Sequence, residues 1–256
     1  MPAVVDTDDG LFVVKFRGAG QGAKALIAEI ICARLAEALD LAVPELAVVM
    51  IPDSFGRSEP DPEIQDVLRT SHGVNVGLRY LDGAFNFALA AARHLVDAEW
   101  AARVVWMDAF LTNPDRTHRN TNILVWDRSL WLIDHGAAIY AQHNWPRVDA
   151  ARTRSPFPVI RDHVLLGAAG DLHEADRFAG AALDDTAIRE AVAAVPDELL
   201  TMEPLSAEFS SAAEARDRYH GYLTSRLQGP RAFLESANAA QDALRDTGDQ
   251  RLSSRR

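Results

Sequence analysis

Asn113 to Trp126 reads NPDRTHRNTNILVW, and Ser129 to Gly136 reads SLWLIDHG. Upstream, Ala98 to Leu111 carries Val104, Val105, Met107, Ala109, Phe110 and Leu111, a pattern apolar enough to predict a largely buried helix. Downstream, Asn122 to Trp126 and Leu130 to Ile133 are short runs of strand formers. Asp127-Arg128-Ser129 lies between them, which predicts a hairpin with a tight turn. The order is buried helix, polar loop, hairpin, and Asp134 falls where the second strand ends.

Transfer of a phosphoryl group needs a carboxylate beside the attacking hydroxyl and hard oxygen ligands that hold Mg2+ on the phosphates. Asp115 and Asn120, with four residues between them, satisfy the D-x-x-x-x-N pattern of kinase catalytic loops. Asp134 precedes His135-Gly136, at the place where kinases keep the aspartate that grips the metal. Alone, the spacing is a weak signal, because any acidic loop produces it often. Order strengthens it. Upstream, Leu11 to Phe16 (LFVVKF) reads as a strand ending near Lys15, and Glu29 sits on a helix that could bring it to that lysine. The plain alternative makes Asp115 a turn cap, Asn120 a left-handed filler, Asp134 the cap of a following helix and Lys15 a solvated edge residue.

The N-terminal third predicts strand, glycine-rich connection, helix and strand. From Ala23 to Leu39 the residues Leu26, Ile27, Ile30, Ile31, Leu35 and Leu39 recur at helical spacing, with Glu29, Arg34 and Glu37 between them, so an amphipathic helix is expected. Leu46 to Ile51 reads as a strand, Pro52 to Pro62 as a surface connection, Glu63 to Thr70 as a short helix and Val74 to Tyr80 as a strand. Beyond Leu165 the chain is alanine-rich and helical to about Leu244, with breaks near Gly170, Pro196, Pro204 and Gly229.

With 256 residues, 48% of them hydrophobic and 25% charged, the chain can bury its own core. Its formal net charge of −11 argues against nucleic acid as the main partner. No apolar span or leader-like start is visible, so no membrane partner is expected and the cytoplasm is the expected location. Cys32, the single cysteine, sits in an apolar helical pattern and reads as a packing residue.

Taken together, VVKF, AEIICARLAEALDLAVPEL, NPDRTHRNTNILVW and LWLIDHG resemble the HipA-like serine/threonine kinases, over roughly Leu11 to Trp145. The closest likeness is to a compact actinobacterial branch that lacks the extra N-terminal domain of the toxin-type members. The resemblance implies an α+β, two-lobed fold like that of protein and phosphatidylinositol kinases. On that basis residues 1–80 would form the small lobe, 81–245 a helical large lobe and 246–256 a disordered tail. It implies ATP and Mg2+ as cofactors, with a hydroxyl on protein Ser or Thr as acceptor. Lys15 would contact the ATP phosphates, with Glu29 as its partner. Asp115 would be the catalytic aspartate, and Asn120 and Asp134 would bind Mg2+. Relatives carry a phosphate-covering Gly-Ser turn before the VVKF-like strand. Here MPAVVDTDDG fits the second half of that hairpin, so a start upstream of Met1 is expected.

Two other readings stay open: a nucleotide-binding pseudokinase serving as an interaction module, and a kinase for a small molecule. GDLHEAD at Gly170 to Asp176 lacks a closing Asn, and Asp171 there reads as a turn or helix cap. Gly20 and Gly22 are expected to shape the entry to the first helix, and His118 to support the catalytic loop. Arg116 and Arg119 could hold phosphate or pair with local acids. Tyr80 to Phe87 could border a nucleotide pocket or a substrate groove. His135 stands where DFG kinases have Phe, and Trp126, Trp131 and Trp145 read as packing residues.

Overall fold

The computed structural model describes the backbone of residues 2–20 and 22–253 and the side chains as far as residue 246. The chain begins with a hairpin, β1 (Pro2–Thr7) and β2 (Gly10–Lys15), turned at Asp8-Asp9 and closed by Thr7 Oγ1 donating to the Gly10 carbonyl at 2.8 Å. Helix α1 (Ala23–Ala38), strand β3 (Leu46–Ile51), helix α2 (Pro62–Thr70) and strand β4 (Gly73–Arg79) follow. The four strands form one antiparallel sheet in the order β1-β2-β4-β3, with Lys15 paired to Val76. Alternation along β2 sends Phe12 and Val14 to one face, where α2 and Ile51 cover them, and Val13 and Lys15 to the other.

After the sheet come β5 (Phe85–Asn86), α3 (Leu89–Ala92) and the buried helix α4 (Ala98–Phe110). The hairpin β6 (Ile123–Trp126) and β7 (Ser129–Leu132) pairs with β5 in a second, three-stranded sheet. Short turns of 3-10 helix at Tyr140–Arg147 and Pro158–Asp162 flank α5 (Ala150–Thr153). They lead to α6 (Leu172–Ala182), α7 (Asp185–Ala193), α8 (Asp197–Leu200), α9 (Ala212–Gln228) and α10 (Ala232–Ser253). Side-chain oxygens of Asp61, Asp97, Asp171, Asp184 and Ser211 cap α2, α4, α6, α7 and α9, each worth about 1 kcal/mol. Asp171 is thus a helix cap, as its sequence suggested.

Two expectations need correction. The polar stripe of α1 shrinks to Arg34 and Glu37, which pair at 2.9 Å, while Glu29 is fully buried. The cause is enclosure, because α1 packs on β4 on one side and on α7 and α8 on the other. The tail expected from residue 246 is drawn as helix through Ser253. No proline interrupts that stretch, and Arg245 pairs with Asp242 one turn back at 3.6 Å. Residues 254–256 lie outside the described residues.

The main core runs without interruption from Leu26, Ile27 and Ile31 of α1 through Trp106 and Phe110 of α4 to Tyr219 and Phe233 of α9 and α10. Cys32 lies inside it, and burial raises its thiol pKa well above the ordinary value, as suits an inert packing residue. No helix among the described residues is long and apolar enough to cross a membrane.

Candidate active site

Two clefts meet beneath the first sheet. Pro2, Lys15 and Asp134 line both. The first, of about 250 Å³, is lined further by Gly20, Gly22, Gly136 and Asp115. The second, also about 250 Å³, is apolar, lined by Val13 and Leu78 of the first sheet, by Leu124 of the second sheet and Ile133 just after it, and by Tyr80, Leu81 and Ala84. Gly22 is the N-cap of α1 at φ +65°, a left-handed conformation that costs a residue without a side chain nothing.

At the junction, Lys15 Nζ donates to Glu29 Oε2 at 2.8 Å and to Asp134 Oδ1 at 2.7 Å. The same Glu29 oxygen accepts the His135 backbone N–H at 2.7 Å, so α1 is tied at once to the sheet and to the segment after β7. Burial works against the Lys15 ammonium, yet the two carboxylates overcome it and its pKa stands above the ordinary lysine value. For Glu29, burial alone would push the carboxyl up. The Lys15 charge and the His135 donor outweigh it and hold the pKa down at about 2. Asp134 sits at φ +57° with its carboxylate half exposed toward the cleft.

Asp115 Oδ2 accepts two amide donors, Asn120 Nδ2 at 2.9 Å and Asn122 Nδ2 at 3.1 Å. Asn120 is exposed, whereas Asn122 is buried at the start of β6 and its Nδ2 also reaches the Asp134 carbonyl at 3.4 Å. Both amide oxygens are free of hydrogen bonds among the described residues. Six side chains predicted from sequence or found in the structure therefore converge here: Lys15, Glu29, Asp134, Asp115, Asn120 and Asn122. Asn120 is the exposed member of the two amides. No group of three or more His, Cys, Asp or Glu side chains capable of holding a metal occurs among the described residues, so any ion here would complete its shell with amide, phosphate or water oxygens.

A family model described as HipA-like kinase matches residues 4–151, more than half of the chain. The chain belongs to the HipA-like kinase family. No curated protein matches it significantly in sequence. Among solved structures it resembles the Helicobacter pylori proinflammatory kinase CtkA, with a TM-score of 0.56 over 95% of this chain and 94% of that one. Sequence identity is 13%, so the likeness is one of fold.

Beneath the loop of this HipA-like kinase lies a second polar network. Arg116 Nε donates to Asp108 Oδ2 at 2.6 Å, and Arg116 Nη1 donates to the Asn122 carbonyl. Asn113 Nδ2 donates to Asp108 Oδ1 at 2.8 Å, and its own oxygen accepts the Asp115 N–H at 3.1 Å. His163 completes the set. The Leu165 N–H donates to its Nδ1 at 3.1 Å, which leaves Nε2–H to donate to Asp108 at 2.9 Å. Burial keeps the His163 pKa below its ordinary value despite Asp108, so the ring is neutral at neutral pH. Burial also opposes ionisation of Asp108, but Arg116 and His163 hold its carboxyl well below the usual range. Arg116 is thus a structural partner of a buried acid rather than a phosphate ligand. His118, expected to support the loop, is exposed, and His163 does that work through a distant contact.

Lys24, in the first turn of α1, is buried with Nζ on the Gln142 carbonyl at 2.6 Å and Glu208 Oε1 at 2.8 Å. Gln142 in turn accepts from Tyr219 at 2.8 Å. Trp145 packs edge-on against Tyr219 and Tyr222, and Trp126 against Trp131, the packing roles expected of them. Of YLDGAFNF, Tyr80, Leu81 and Ala84 line the apolar cleft, Phe87 is buried and Phe85 is exposed.

Proposed function

We propose that the chain is an ATP- and Mg2+-dependent kinase that transfers the γ-phosphoryl group to a protein Ser or Thr hydroxyl. The observation that carries this reading is Lys15 held between Glu29 and Asp134 where an apolar cleft meets a polar one containing Asp115. An adenine ring suits the Val13, Leu78, Leu124 and Ile133 walls, and the phosphates suit the polar side. We divide the molecule at this cleft, with 1–80 as the small lobe and 81–245 as the large one.

The donor set fits Mg2+. Asp134 offers a carboxylate, and Asn120 and Asn122 offer amide oxygens left free by the contacts that turn their NH2 groups to Asp115. Asn120 was the first candidate from spacing, and Asn122 is the better placed because it is buried and also bonded to the Asp134 carbonyl. When bound, the ion would neutralise charge on the phosphates. Asp115 orients the acceptor hydroxyl and receives its proton at a carboxylate oxygen. Lys15 stabilises the charge on the transferred group, and Glu29 keeps that ammonium from swinging onto Asp134 alone.

Turnover of γ-labelled ATP with Mg2+ tests the reading. Asp115→Ala should lose about 10²–10⁴-fold in rate while still binding ATP. Asn122→Ala should raise the Mg2+ requirement more than Asn120→Ala does. Unchanged turnover in Asp115→Ala would sink the assignment, and ATP binding without turnover in the unsubstituted chain would make it a pseudokinase.

A further inference from the structure

The most voluminous of the clefts described, about 530 Å³, is lined by Thr112 and by Pro114, the chain neighbour of Asp115. Its walls are the segment that follows Asp134, chiefly Tyr140, His143, Arg152, Phe157 and Val159. It is firmly built. Buried Arg226 donates to the carbonyls of Ala109 and Phe110 at the end of α4 and to those of Thr153 and Ser155 in one wall. Arg218 donates to the carbonyls of Trp145 and Val148 behind the other.

Two features describe an occupant. Tyr140 and Val159 present large apolar surfaces outward at 62% and 43% exposure, which suits a chain lying along the rim better than a molecule enclosed within it. The charge is local and of the opposite sign to the whole. Tyr140 to Asp162 holds four arginines (147, 152, 154 and 161) against two aspartates (149 and 162), in a chain of net charge −11. Within the cleft, the Arg152 side chain makes no hydrogen bond or ion pair among the described residues, and Asp149 beside it accepts the Arg152 backbone N–H at 2.7 Å rather than the guanidinium. Burial and the Lys24 charge lower the His143 pKa against the pull of Glu208, so the cation of the cleft at neutral pH is Arg152.

We infer that this cleft is the acceptor site and that Arg152 sets its specificity. The occupant is an extended protein segment whose Ser or Thr is flanked by an aromatic or aliphatic side chain, seated on Tyr140, Phe157 and Val159, and by a carboxylate that pairs with Arg152. The inference rests on the kinase reading above, and it is tested separately from it.

The probes are fluorescent nonapeptides with a central Ser, one Phe and either Glu or Lys at the remaining flanking positions. Binding is followed by anisotropy and phosphorylation by label from γ-labelled ATP. The unsubstituted chain should favour the Glu series, and Arg152→Glu should shift the preference by about fivefold toward Lys in both readouts. Arg161→Glu, the same charge change outside the cleft, should leave the preference in place. An unchanged preference in Arg152→Glu, or an equal shift in Arg161→Glu, overturns the inference while leaving any observed turnover to support the kinase. Arg152-dependent binding without phosphorylation upholds the cleft and removes the kinase reading. Label appearing in small molecules from an extract, with no peptide bound, overturns the inference.

Discussion

Glu29 Oε2 accepts from both the Lys15 ammonium and the His135 N–H, while Oε1 has no hydrogen-bond partner and lies 3.8 Å from His135 Nδ1. Its folded pKa of about 2 lies below the ordinary ~4.3, so its contribution is complete above the ordinary value and is lost as pH falls through about 2. Lys15 works in the opposite sense. Its raised pKa means that its contribution is complete below ~10.4 and is lost as pH rises through the higher folded value. The pair therefore holds across the whole neutral range. In urea unfolding, Glu29→Gln should be less stable than the unsubstituted chain by about 3 kcal/mol at pH 7, with the gap closing toward pH 2. A gap that does not change with pH would contradict this account. Asp108 and Arg116 form the other buried pair. Arg116→Met leaves an ionised carboxylate with only His163 and Asn113 as donors, and should cost about 3–5 kcal/mol in a denaturant titration.

At the scale of elements, the hairpin β6-β7 carries an avoidable strain. Asp127 and Arg128 both have positive φ, 46° and 60°, the geometry of a two-residue turn that favours Asn-Gly. Arg128→Gly should stabilise by about 0.5–1 kcal/mol and raise the melting temperature by a few degrees in a thermal scan. This hairpin, α1, α2, α4 and strands β2, β3 and β4 were legible because each has its own period and its own boundary residues, whereas the two-residue β5 is too short to show one. Strand β2 could be read from VVKF alone. The site was legible to the extent that its chemistry is local. Asp115 and Asp134 stand at element ends, and the fold brings Lys15 and Glu29 together from adjacent elements. Asn120 was found by its spacing from Asp115, whereas Asn122, whose amide bonds the same Asp115 oxygen, carries a different signal: it immediately precedes the strand residue Ile123. His163 could not be found that way. Its link to Asp108 depends on how the 3-10 turn at Pro158–Asp162 packs against α4, which no local pattern encodes.

Across the whole molecule, the active-site cleft divides the surface while the core ignores the division. The apolar cluster that holds α1 is the same one that holds α4, α9 and α10, and among the described residues the outer face of the first sheet has a cluster of its own. Each buried Leu or Ile of α1 is worth roughly 1.5–3 kcal/mol, and a fragment ending at residue 80 would expose them. Calorimetry should accordingly record one unfolding transition, and residues 1–80 expressed alone should show no cooperative melt. Two separated transitions would mean that the lobes fold independently. The enclosure of α1 also bears on how the protein could be silenced. A compound that silences it by displacing the helix bearing Glu29 would have to swing that helix away from Lys15. Here α7 and α8 pack against that helix, and the Lys24 contact with Glu208 pins it in its first turn. A compound seated on the Val13, Leu78 and Tyr80 walls would therefore meet a helix whose displacement must first break the α7 and α8 packing and the Lys24 pair.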